Sequence, residues 1–137
     1  MANWWEKYLN KPWKAEPEPP HSFNCGELLR RVYWDEFGIE TLPILADASD
    51  LRQCIKAMTG ERYGLAPLKQ TDRPRNYDSV FMARGKFDDH CGIAAGTVEG
   101  LLVLHCLQGV GVVLESVGEL AGRGLKHLSW YRHERLN

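Results

Sequence analysis

No Cys-x-x-C pair occurs in these 137 residues, and the four cysteines, Cys25, Cys54, Cys91 and Cys106, are widely scattered. That excludes a zinc ribbon and a disulfide scaffold. Two His-Cys dipeptides, at 90–91 and 105–106, do not restore a metal site. Neighbours on a strand point to opposite faces, so each dipeptide offers one ligand to a given ion. No metal and no cofactor is expected. Apolar runs are short as well: none approaches the roughly 20 residues that cross a bilayer, so no membrane span is expected. The opening MANWWEKYLNKPWK lacks the apolar core of a secretory signal, which predicts synthesis in the cytosol without an export signal. A formal net charge of -1 supplies no bulk attraction to nucleic acid or to an anionic membrane. The basic residues of 123–135 are interleaved with acids and read as a solvated face. No repeat or compositional break divides the chain, so 1–137 reads as one domain, with 1–21 an aromatic segment and a Pro-rich loop.

What is present is a globular composition, 44% hydrophobic and 26% charged, which argues against disorder. Trp4, Trp5, Tyr8, Leu9 and Trp13 predict a short helix docked on the core, and the prolines of KAEPEPPHS then force an extended loop. Leu28, Leu29, Val32, Tyr33 and Phe37 recur at helical spacing, predicting a helix over 24–37 that is capped by Ser22 or Asn24 and stopped by Gly38. A second helix follows, with Asp47 or Ser49 as cap, Leu51, Ile55 and Met58 on one face and Gly60 as stop. Cys54 is expected to pack on or beside that face. Residues 61–77 read as loop. From 78 the period changes to short β-type runs: DSVFMA, CGIAAG, LLVLHC, VGVVLES and LSWYRH. The order predicts an α+β fold, N-terminal helices on one face of an antiparallel meander of about five strands.

Cys25 sits in the first turn of the first predicted helix. There the helix dipole and unpaired N–H groups favour thiolate, and pKa values fall to roughly 3.5–7.5 in such settings. The position suits a nucleophile and equally a buried, inert thiol. His90 opens one predicted strand and His105 nearly closes the next. If 96–99 form a four-residue hairpin loop, the two stand directly opposite each other on one face. One imidazole could then take the thiol proton while the other holds its ring. A slip by one residue would part them. Cys91 and Cys106 would share the other face as reduced core thiols.

Taken together, FNCGELLRRVYWDEFGIETLP, YDSVFMARGKFDDHCGIAAG, LLVLHCLQGVGVVLES and LSWYRH resemble the NlpC-type cell-wall endopeptidases, compact papain-like cysteine peptidases. The likeness runs from about Trp5 to His133 and is closest to the branch encoded by tailed phages. It implies the papain-like NlpC fold, with Cys25 as nucleophile, His90 as general base and His105 as the third, orienting residue. The implied reaction is hydrolysis of stem-peptide amide bonds in peptidoglycan through an acyl-thioester. Implied partners are those stem peptides and other phage tail-tip or hub proteins, and the implied location is the virion tail, acting at the bacterial cell wall.

The chain departs from the family pattern at several points. The family's Asp before the cysteine is Asn24, and Ser-Gly after it is Gly26-Glu27. Trp13 stands where a Tyr usually supports the thiolate and oxyanion, and the usual Gly-Asp pair reads Tyr77-Asp78. Trp13, Asn24 and Gly26 are accordingly the substrate and oxyanion candidates. Glu27 either stabilises the helix dipole or repels acidic stem peptides. Trp4, Trp5, Trp130 and Tyr131 read as core or interface rather than as sugar platforms. Two functions follow: a tail-associated cysteine endopeptidase, or a structural tail-tip protein keeping the fold with weak or no hydrolysis. A stand-alone cytosolic amidase or acyltransferase is the third.

Overall fold

The structure, a computed structural model, describes residues 3–41, 47–59 and 68–136. Helix α1, Cys25–Phe37, forms where the apolar spacing places it. Asn24 Oδ1 accepts the Glu27 N–H at 2.8 Å, which makes Asn24 the N-cap; Ser22 instead accepts from the Glu18 N–H. Gly38 takes a left-handed conformation (φ 63°), and its N–H and that of Ile39 close the helix onto Trp34 and Tyr33. Helix α2, Leu51–Thr59, is capped differently from expectation. Asp50, the residue just before it, accepts from the N–H groups of Arg52 and Gln53, while Asp47 turns to Ser49. Leu51 is exposed, so the buried side of α2 is Ala57 and Met58. Gly60, expected as its stop, lies outside the described residues.

Six strands follow: β1 Leu68–Thr71, β2 Ser79–Ala83, β3 His90–Thr97, β4 Gly100–Leu107, β5 Gly111–Glu115 and β6 His127–His133. Between β5 and β6 comes α3, Val117–Gly122. Within this sheet the pairings of the described strands are antiparallel, in the order β1-β6-β2-β3-β4-β5. The sheet is therefore no simple meander, because the last strand inserts between the first two. β1 falls in a stretch expected to be loop; its four residues, LKQT, form an edge with two exposed side chains and carry little apolar signal. α3 was also unforeseen, although Ser116 and Glu119 form a capping box around it. That S-x-x-E signature is legible in the sequence.

The sheet buries both faces. On the α1 side, Leu28, Leu29, Val32 and Tyr33 meet Phe81, Cys91, Ile93, Leu104 and Cys106. On the other, Leu120 of α3 packs with Val80, Met82, Val103 and Leu125. The expected face shared by Cys91 and Cys106 is thus the α1-side core, and both are free thiols. The N-terminal aromatics join that core as expected: Trp5 is buried, Trp4 stacks on Tyr77, and the Tyr8 hydroxyl donates to Asp35. Their helix shrinks to a 3₁₀ turn, Glu6–Tyr8. Tyr131 packs on the α1-side core and Trp130 on the other.

Tyr77 has φ 74°, a conformation that suits glycine, at the place where the resembled family carries one. Its ring is held by Trp4, by Phe37 and by a hydrogen bond to Glu36, contacts that offset the strain. The basic C-terminal stretch is more than a solvated face. Arg132 clamps the fully buried Asp78 at 2.7 and 2.9 Å, and Arg123 is bound to Glu115.

Candidate active site

The first turn of α1 lies against the start of β3, and this brings Cys25 to His90 and Cys91. The Cys25 thiol is held well below its ordinary range. A hydrogen bond from the Cys91 thiol is the largest cause; the charge and hydrogen bond of His90 and the Cys91 N–H add to it, against burial. Cys91 itself is pushed well up, first by burial and then by the Cys25 sulfur. Of the two, Cys91 is the sulfur that holds its proton and Cys25 the one disposed toward the thiolate. The sequence assigned Cys91 only a packing role, since alternation points its side chain away from that of His90. The Cys25 sulfur nevertheless meets both.

The two histidines meet, by a register other than the expected one. Thr97 pairs with Gly100, so the hairpin turn is two residues, Val98 and Glu99, instead of four. Ile93 pairs with Leu104; one step further, His105 faces Gly92 rather than His90. A shift of two keeps each side chain on its original face. The rings therefore meet diagonally, His90 Nε2 to His105 Nδ1 at 2.9 Å. Gly92 makes room for this. A Cβ there would lie 2.8 Å from the Leu104 carbonyl oxygen and 3.1 Å from the His105 Cβ.

His105 is completely buried, and its other nitrogen, Nε2, lies 2.7 Å from Glu115 Oε1. Arg123 Nε donates to both oxygens of that carboxylate, at 2.7 and 3.0 Å. Burial, followed by the positive field of His90, pushes His105 down to about 4, so its ring is neutral near pH 7. Burial works to raise Glu115, but Arg123 and His105 outweigh it and hold the carboxyl below its usual value. Neither Glu115 nor Arg123 was singled out in the sequence. VVLES reads as an ordinary strand end, and only the fold turns its acid onto His105.

A cleft of about 200 Å³ opens over the sulfur, lined by Trp13, Asn24, Cys25, Cys54, His90 and Gln108. Trp13 is set there by a parallel bridge to Phe23, the residue before Asn24. Gly26 is buried and lines a separate, smaller hollow that shares Asn24, Cys25 and Cys54 with that cleft. Among the described residues nothing accepts from the N–H groups of Cys25 and Gly26, while that of Glu27 is taken by Asn24. Glu27 forms an ion pair with Arg30 at 2.9 Å. Cys54, expected as packing, is half-buried at the cleft wall, with burial pushing its thiol up to about 11. A larger hollow of about 370 Å³ lies between Trp34, Arg31 and Thr41, on residues other than the cysteine–histidine cluster. Size alone does not mark the site here; the chemistry does.

No family model and no curated protein matches the sequence. Among solved structures, the NlpC/p60 domain of peptidoglycan hydrolase SagA superposes with a TM-score of 0.59 at 20% sequence identity. The match covers 90% of this chain and 89% of that one. The chain has the NlpC/p60 fold.

Proposed function

We propose that this chain is a cysteine peptidase that hydrolyses amide bonds in peptidoglycan stem peptides, with Cys25 as nucleophile, His90 as general base and His105 as the residue that orients it. The observation that carries the reading is the 2.9 Å contact of His90 with a neutral, buried His105, next to a Cys25 thiol that His90 and Cys91 hold below its ordinary range. His90 Nε2 is engaged by His105, leaving Nδ1 for the sulfur. The Cys25 proton passes to His90, and the thiolate adds to the carbonyl carbon. The first-turn N–H groups of Cys25 and Gly26 are placed to receive the oxyanion, a contribution worth roughly 10²–10³ in turnover per donor. Collapse expels the amine, which takes the proton from His90 and leaves an acyl-thioester. His90 next deprotonates a water that attacks this ester, releasing the acid and restoring the thiol.

The substrate class is supported by the fold likeness to a peptidoglycan hydrolase domain together with the sequence resemblance. Action from a phage tail, in contact with other tail-tip proteins, rests on the sequence resemblance alone. Mass spectrometry of purified virions would find the chain in the tail fraction if that is right. The activity is tested by incubating the protein with purified sacculi and analysing the released peptides. Release is expected from the wild type and absent from Cys25→Ala and His90→Ala. Release unchanged in Cys25→Ala removes the nucleophile. A folded wild type that releases nothing leaves the structural tail-tip role.

A further inference from the structure

Beyond the three residues of that reading, the structure assigns Glu115, braced by Arg123, as a positioning residue that fixes the ring of His105 and through it the hydrogen-bonding direction of His90. The argument concerns where protons sit. An ionised carboxylate can only accept, so the contact of Glu115 Oε1 with His105 Nε2, 2.7 Å long, requires a hydrogen on Nε2. A neutral His105 then has a lone pair on Nδ1, and the contact with His90 Nε2 at 2.9 Å requires a hydrogen on that atom. His90 is left with Nδ1 as the nitrogen that can take the Cys25 proton. Each assignment follows from the one before it, and the run starts at Glu115.

Arg123 keeps the starting point in place. Its Nε holds both carboxylate oxygens, so Glu115 stays ionised although the residue is only 7% exposed. The groups facing His105 come from three places: His90 on β3, Glu115 on β5 and Arg123, the residue that caps the end of α3. Glu119 on α3 acts on Arg123. Without the Glu115 carboxylate, either ring nitrogen of His105 could carry the hydrogen. With the hydrogen on Nδ1, that N–H would confront the N–H of His90 Nε2 across the 2.9 Å contact unless His90 changed tautomer as well, and His90 would lose its fixed hydrogen-bonding direction.

This inference rests on the peptidase reading for its meaning but not for its test. The ¹⁵N shifts of the histidine rings report the tautomer directly, and the pH profile of Cys25 alkylation by iodoacetamide reports the thiolate. Wild type is expected to show His105 protonated on Nε2 alone. Glu115→Ala is expected to show mixed tautomers, with the alkylation inflection about one unit higher, or about tenfold less thiolate on its acid side. Glu115→Gln, whose carbonyl still accepts, should restore both, a rescue that mere filling of space would not discriminate. Arg123→Gln, at a position more than a third exposed, keeps the fold if Glu115→Ala does not. It should raise the pH at which Glu115 takes a proton and the Nε2 assignment breaks down. Unchanged tautomer and unchanged profile in Glu115→Ala, or in Arg123→Gln should the former not fold, overturn the assignment. A tautomer that follows Glu115 in a protein inactive on sacculi would sink the peptidase reading and leave this one standing.

Discussion

At the scale of single residues, four thiols share one chain and differ in what surrounds them. Burial pushes Cys54 up to about 11 and Cys106 up to about 12, and Cys91 lies well above its ordinary range. Cys25 moves the other way. Sub-stoichiometric iodoacetamide at pH 7 should therefore label Cys25 first, with peptide mapping as the readout. Equal labelling of all four would contradict the thiolate. Because the Cys91 thiol is the main donor to that sulfur, Cys91→Ala should shift the Cys25 alkylation profile to higher pH, and Cys91→Ser should shift it less. A profile that ignores both variants would mean that His90 alone sets the thiolate. Cys25 was legible as a helix-start thiol. Its Cys91 partner was not, since strict strand alternation turns Cys91 away from its neighbour His90, and only the fold brings the first turn of α1 to both.

At the scale of elements, the nucleophile depends on a cap and the histidine pair on a glycine. Asn24 supplies the side-chain acceptor at the start of α1, so Asn24→Ala should cost about 1 kcal/mol in a urea melt. Asn24→Asp should recover that loss. Gly92 is the close-approach position between β3 and β4. Gly92→Ala places a methyl against the Leu104 carbonyl and Val103, and overpacking of that kind costs about 1–3 kcal/mol. It should also slow alkylation of Cys25 by spreading the His90–His105 contact. A variant as stable and as reactive as wild type would show that the strands can part without consequence. The expected hairpin had the right strands and the right face with the wrong loop length. Hydrophobic alternation settles the face, but it cannot distinguish registers that differ by two.

For the whole molecule, the buried charges decide how stability responds to pH. His105 titrates at about 4 in the folded chain against an ordinary 6.5. Between those values the unfolded chain binds more protons, so this contribution is complete above about pH 6.5 and fades as pH falls toward 4. The gap corresponds to about 3 kcal/mol. Glu115, held below its usual 4.5, acts in the same direction at still lower pH. Urea denaturation at pH 7 and pH 4.5 should show that loss, and His105→Gln should flatten it. Equal stability at the two pH values would show that His105 does not titrate this way. A second buried charge, Asp78, ties the chain just before β2 to Arg132 on β6. Asp78→Ala leaves Arg132 unpaired and should cost about 3–5 kcal/mol. A melt within 1 kcal/mol of wild type would show that the clamp adds little.

The sequence by itself determined much of the local grammar: α1 with its ends, α2, the five β-type runs from 78 onward, and that Cys25, His90 and His105 are the residues to watch. Periodicity, caps and turn residues act over a few neighbours, and so they are readable along the chain. Only the tertiary structure decided that β6 inserts between β1 and β2, that the histidines meet diagonally, and that Cys91, Glu115 and Arg123 join them. Those contacts link residues from separate strands and the end of α3, and their existence depends on how strands order and twist. No spacing within one segment encodes that.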